Sequence, residues 1–182
     1  MPVLAIGALL ATQSFKNRDL KIFGTVPEFS LVERSGRNLT LDQLRGKVWI
    51  ASFIFTHCAE QCPLICRQIQ KLQRQLRFKE GVRFVSFSVD PSRDTPEVLA
   101  RYADRFEADP TKWFFLSGDK KEIDALIQSG FHLVNKEEPL GSFIHSFKLV
   151  LVDAFGRVRG YYDAMDEKSI TSLIKDTRRL LR

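Results

Sequence analysis

An uninterrupted apolar run, Val48 to Phe55, passes directly into a polar turn and then a helix-forming stretch, and a second such run follows at Val82 to Val89. A strand-length run that does not alternate with polar residues has both of its faces covered. Two such runs joined by an amphipathic helix make a β-α-β unit, so the sequence commits the middle of the chain to a layered α/β architecture. The helix between them carries Ile65, Ile69, Leu72 and Leu76 on one stripe and is expected from Pro63 to about Lys79, closed by Gly81.

The turn between the first strand and this helix reads Thr56-His57-Cys58-Ala59-Glu60-Gln61-Cys62-Pro63. With Pro63 at the first helical position, Cys62 is expected as the N-cap, where unpaired amides and the helix dipole favour a thiolate. Cys58 lies four residues earlier, so the two sulfurs are expected to converge on a disulfide or a soft metal ion. Spacing alone does not choose between these. The gap is longer than in a C-x-x-C dithiol, and the second ligand pair of a zinc finger is missing.

Other elements follow from local signals. Phe29, Leu31 and Glu33 alternate as a strand, Ser35-Gly36 turns it back through Leu39, and Thr40 caps a short helix, Leu41 to Leu44, ended by Gly46. Thr95 and Pro96 start a helix reaching about Phe106, after a loop, Asp90 to Asp94, whose carboxylates are read as capping and turn-forming groups. Trp113 to Leu116 is expected as a third strand, with a helix from about Lys120 to Gln128 behind it. An irregular segment spans Phe131 to Ser142. A hairpin then turns at Asp153 to Gly156, and an amphipathic helix runs from about Asp166 to Leu181. The expected fold is α/β of thioredoxin type: a mixed central sheet flanked by helices, with an N-terminal hairpin.

Composition sets outer bounds. The 182 residues are 44% hydrophobic and 27% charged, enough for one substantial core. Twenty-eight Lys+Arg against 22 Asp+Glu give a net charge of +6, scattered along helices. Solvated helix faces account for it, and no nucleic-acid partner is expected; an acidic partner surface or an anionic membrane also suits this charge. Met1 to Ala11 is apolar but about half the ~20 residues needed to span a bilayer. Residues 1–26 are read as an apolar leader and linker, a remnant of a membrane anchor, and 27–182 as the domain.

Three stretches in order, Thr56 to Pro63, Ser88-Val89-Asp90-Pro91-Ser92-Arg93-Asp94-Thr95-Pro96, and His145-Ser146, resemble the Sco/SenC family over about residues 27 to 182. Phe29-x-Leu31 and Leu44-Arg45-Gly46-Lys47-Val48 are similar to the wider thioredoxin and peroxiredoxin superfamily. The resemblance implies a copper metallochaperone serving the dinuclear copper centre of cytochrome c oxidase. It implies Cu(I) or Cu(II) held by Cys58, Cys62 and His145, with an upstream copper donor and the oxidase's copper-bearing subunit as partners. It also implies tethering by an N-terminal membrane helix, in the bacterial periplasm or on the mitochondrial inner membrane facing the intermembrane space. Two sulfurs and an imidazole are a compact, soft donor set suited to copper. Two positions depart from the family pattern: Ile144 stands where many members carry Asp, and Cys66 is an additional thiol, expected to be buried and structural.

The competing reading is a thiol-disulfide oxidoreductase on the same Cys58 and Cys62, which needs no histidine ligand. Such enzymes ordinarily place a proline before the strand facing the dithiol, and Gly141 to His145 contains none. A peroxidase on this scaffold ranks lower, since no threonine stands three residues before either cysteine. His57 and His132 are read as ordinary turn and surface residues.

Overall fold

The structure is a computed structural model, and it describes residues 20–133 and 147–181. The apolar leader, most of the irregular segment after Phe131, and His145 lie outside the described residues. Eight strands form one sheet: β1 (Gly24–Thr25), β2 (Ser30–Glu33), β3 (Asn38–Thr40), β4 (Val48–Ile54), β5 (Val82–Ser88), β6 (Trp113–Ser117), β7 (Lys148–Val152) and β8 (Arg157–Asp163). Their spatial order is β1-β8-β7-β4-β5-β6-β2-β3, with β4, β5 and β6 parallel and all other neighbours antiparallel.

β4 is buried at every position. Its Val48, Ile50 and Ile54 enter one apolar cluster, and Trp49, Ala51 and Phe53 enter another on the opposite face. That is why its sequence is a continuous apolar run. The first cluster is roofed by α2 (Gln61–Gln75), α3 (Pro96–Asp104) and α5 (Glu167–Leu180). On α2 the stripe Ile65, Ile69 and Leu72 is fully packed away, each side chain contributing about 1.5–3 kcal/mol of burial. The second cluster lies under α1 (Leu41–Leu44) and α4 (Lys120–Ala125), and centres on the rings of Trp49, Phe53, Phe87 and Phe131.

Local signals place most boundaries. The β2–β3 hairpin turns at Gly36, whose φ of 82° lies in the left-handed region. Gln43 accepts the Thr40 N–H at 2.8 Å to cap α1, and Thr95 Oγ1 accepts the Val98 N–H at 3.4 Å to cap α3.

Two expectations change. The helix after β6 stops at Ala125 and continues as a π-helical turn, Leu126–Gly130, in which Phe131 N–H reaches back to Leu126 O at 2.8 Å. This wider turn accompanies the seating of Phe131 in the aromatic cluster, a tertiary demand that helical spacing cannot express. Gly24–Thr25, inside the stretch read as linker, pairs with Val158 and Arg157 as an edge strand, and Val26 is buried. No helix among the described residues is long and apolar enough to cross a membrane.

Candidate functional site

β4 ends at Ile54, and the chain turns through Thr56 and Cys58 before entering α2. The helix begins at Gln61, with Glu60 at the N-cap position, so Pro63 sits within the first turn. Proline is tolerated anywhere that the amide would be unpaired, so Pro63 marked the start of the helix only to within a turn. Cys62 is therefore inside the helix. Its side chain points down into the core at 2% exposure, and its sulfur accepts the Phe55 N–H at 3.5 Å.

Cys58 takes the role expected of Cys62. It is half-buried, and its sulfur accepts the Cys62 N–H at 3.3 Å, capping the open end of α2. Burial works against its thiolate, but the amides of Cys62, Glu60 and Gln61, with a hydrogen bond from the Cys62 thiol, outweigh it and lower the pKa. Cys62 goes the other way: burial and the neighbouring Cys58 and Asp94 charges push its thiol up to about 12, against the Phe55 amide. The sequence reading that placed the favoured thiolate on Cys62 is corrected: it belongs to Cys58. All three cysteines are free, and the first two are joined through the Cys62 N–H and the Cys58 sulfur.

Beneath the turn lies a residue whose role the sequence did not disclose. Asp94 is completely buried. Its carboxylate accepts the Thr56 hydroxyl at 2.6 Å, the Ser88 hydroxyl at 2.6 Å and the Thr56 N–H at 3.2 Å. It is a tie between the exit of β4, the end of β5 and the start of α3, where the sequence reading made it a capping or turn-forming group. Asp90 does behave as a turn residue, accepting the Ser92 hydroxyl at 2.8 Å. The one signal for Asp94 was its place directly before Thr95: the threonine caps α3, which leaves the aspartate free to turn inward.

Cys66 is fully buried one turn after Cys62, its thiol donating to the Tyr102 hydroxyl at 3.9 Å, and burial raises its pKa strongly. His57 is exposed, with Nδ1 3.3 Å from Thr56 Oγ1, and His132 is exposed with a φ of 50°. Among the described residues no group of three or more His, Cys, Asp and Glu side chains is arranged to hold a metal ion; His145, the expected third ligand, is not one of them. A groove of about 680 Å³ lies at the other end of the sheet, bordered by Lys47 and Arg83, and touches neither cysteine.

Comparisons with known proteins bear on this arrangement. The SCO1/SenC family model matches residues 20–182. The SCO1 protein homolog of Bacillus subtilis (strain 168) is 33% identical over 156 residues, which are 84% of this chain and 81% of that protein. The solved structure of BsSco, described as a member of the Sco family of cytochrome c oxidase assembly proteins with a disulfide switch, has a TM-score of 0.78 and 30% identity. The likeness covers 90% of this chain and 97% of that one. Copper-bound ScoI from Bradyrhizobium japonicum has a TM-score of 0.68 and 26% identity, over 86% of this chain and 99% of that one. The curled mixed sheet with flanking helices is thus the thioredoxin-like fold of Sco structures, and the chain belongs to the SCO1/SenC family.

Proposed function

We propose that this protein is a copper metallochaperone that binds one copper ion through Cys58, Cys62 and His145 and delivers it to the copper-bearing subunit of cytochrome c oxidase during assembly. The observation that carries the reading is the pair of free cysteines at the mouth of α2, joined by the hydrogen bond from the Cys62 N–H to the Cys58 sulfur at 3.3 Å. Two sulfurs brought together by the first turn of one helix fit a soft monovalent cation, with an imidazole to complete a low-coordinate site. Cys58, half-buried and the more acidic, is the first sulfur to engage copper. Cys62 gives up its proton as copper arrives, so loading releases protons.

His145 stands three residues before Lys148, the first residue of β7, within about 10 Å of extended chain. β7 runs antiparallel to β4, with Val150 opposite Ala51, so its first residue lies toward the pole at which β4 delivers the cysteines. Copper held in the relative from Bradyrhizobium japonicum and the description of BsSco as an oxidase assembly protein support the same cargo and recipient. An upstream donor, and tethering to a membrane in the periplasm or intermembrane space, belong to this proposal.

Copper titration of the reduced full chain tests it. Wild type is expected to retain about one copper per chain, and both Cys58→Ala and His145→Ala to lose tight binding. A second reading has its own observation. An accessible acidic thiol beside a buried one is the asymmetry of an attacking and a resolving cysteine, and BsSco is described with a disulfide switch. If His145→Ala keeps copper like wild type while the protein reduces disulfides efficiently, the oxidoreductase reading replaces the first.

A further inference from the structure

The pole opposite the cysteines, where the parallel strands begin, is built differently from the rest of the surface. Phe78, after α2, is 80% exposed, and Phe155, in the β7–β8 turn, is 72% exposed. Each ring lies under an arginine: Arg77 is 4.5 Å from the centre of Phe78 and Arg157 is 4.8 Å from that of Phe155. The two loops flank one strand start. Gly46 N–H donates to Ala154 O and Val48 N–H to Gly81 O, both at 2.9 Å. Between them runs a groove of about 400 Å³, lined by Val48, Phe78, Ala154, Leu180 and Leu181 with Lys79 and Glu80 at its edge.

Charge is distributed differently at the two poles. The helices of this sheet start at the cysteine pole with Glu97, Asp119, Glu122, Asp166 and Glu167 in caps and first turns, interspersed with Lys120, Lys121 and Lys168. Exposed Arg77 and Lys79, and Arg178 in the last turn of α5, gather at the other pole. Nearby Asp153 is buried against Arg157 and Arg159, and Glu80 pairs with Lys112. Helix dipoles explain acids at helix starts and bases at helix ends. They do not explain two large aromatics left in water on loops that flank one strand start, Phe78 lining the groove and Phe155 following its Ala154, because exposed apolar residues are ordinary when scattered and informative when grouped.

We infer that this pole is a docking surface for an anionic lipid bilayer, with Phe78 and Phe155 entering the headgroup region and Arg77, Lys79 and Arg178 meeting lipid phosphates. An aromatic ring capped by a guanidinium suits that interface, where the apolar body is buried and the cation stays with the headgroups. Attraction to the negative surface supplies the rest. The seven residues of β4, at ~3.3 Å each, hold the cysteine turn more than about 20 Å above the bilayer and facing away from it. The pole therefore sets the height and orientation of the site, whatever passes through it.

Full-length chain mixed with vesicles tests the inference, the leader being common to every variant. Trp49 and Trp113 are fully buried, so in Phe155→Trp only the new indole can meet lipid. Lipids brominated high on the acyl chain are expected to quench it in phosphatidylglycerol-containing vesicles, and not in pure phosphatidylcholine or in high salt. Arg77→Gln and Lys79→Gln should each lower partitioning into anionic vesicles roughly fivefold. Phe78→Ser should lower it while leaving the urea midpoint unchanged. The inference fails if the indole is not quenched in anionic vesicles, or is quenched equally in neutral ones. It also fails if sedimentation shows a lipid-free dimer that Phe78→Ser dissociates, which would make the pole a contact between copies of this chain.

Discussion

The Thr56 hydroxyl donates to the Asp94 carboxylate at 2.6 Å, joining the exit of β4 to the start of α3 across 38 residues of sequence. The Thr56 amide donates to the same carboxylate, so one buried acid orients the first residues of the cysteine turn through both backbone and side chain. Removing the acid leaves these donors without a charged acceptor in a dry site. Asp94→Ala should cost about 3 kcal/mol in urea unfolding, and Thr56→Val about half of that. Copper titration of Asp94→Asn, which keeps the shape, separates positioning from folding. Binding weakened at unchanged one-to-one stoichiometry supports positioning, and wild-type affinity refutes it.

Cysteine reactivity should follow depth in the core. A short iodoacetamide pulse at pH 8, read by peptide mass spectrometry, is expected to modify Cys58 at least roughly a hundredfold faster than Cys62 or Cys66. The reason is the opposed pKa shifts, with Cys58 lowered by helix amides and Cys62 pushed to about 12. Labelling of Cys62 first would overturn the assignment.

Cys66 contributes packing under Tyr102, without reaching the turn surface. Cys66→Ala should destabilise by about 1 kcal/mol, the scale of a small cavity, and leave copper stoichiometry as in wild type. A loss of bound copper in this variant would make the third sulfur a ligand.

Asp153 gives the acid limb of stability a definite sign. Burial would raise its pKa, but the Arg159 guanidinium, the Arg157 and Phe155 amides and the Arg157 side chain overcome that and lower it. A carboxylate depressed in the folded state stabilises fully above its unfolded pKa of about 3.9, and that contribution disappears as pH falls through the folded value. Asp153→Asn should therefore lose about 3 kcal/mol at pH 7, and the gap to wild type should close below about pH 4. A gap that stays constant from pH 7 to 3 would contradict the pairing.

Local order carried much of this molecule. The unbroken run Val48 to Ile54 specified a strand covered on both faces, the stripe from Ile65 to Leu76 a helix lying on the sheet, and Asp153 to Gly156 a hairpin, because each signal is written within a few adjacent residues. The motif residues Cys58 and Cys62, and the resemblance to Sco proteins, were legible for the same reason. Folding alone decided which sulfur faces solvent. With the helix starting at Gln61 instead of Pro63, Cys62 is already helical and falls on the stripe of Ile65, Cys66 and Ile69 that faces the core, which leaves Cys58 at the helix mouth. The partners of Asp94 and the grouping of Phe78 with Phe155 were hidden likewise, since they join segments that are distant in the chain and meet only when the sheet is assembled. What the sequence determined by itself is the set of elements and the chemistry available. The tertiary structure decided which groups are buried, paired or left in water, because burial and pairing depend on neighbours that local sequence does not contain.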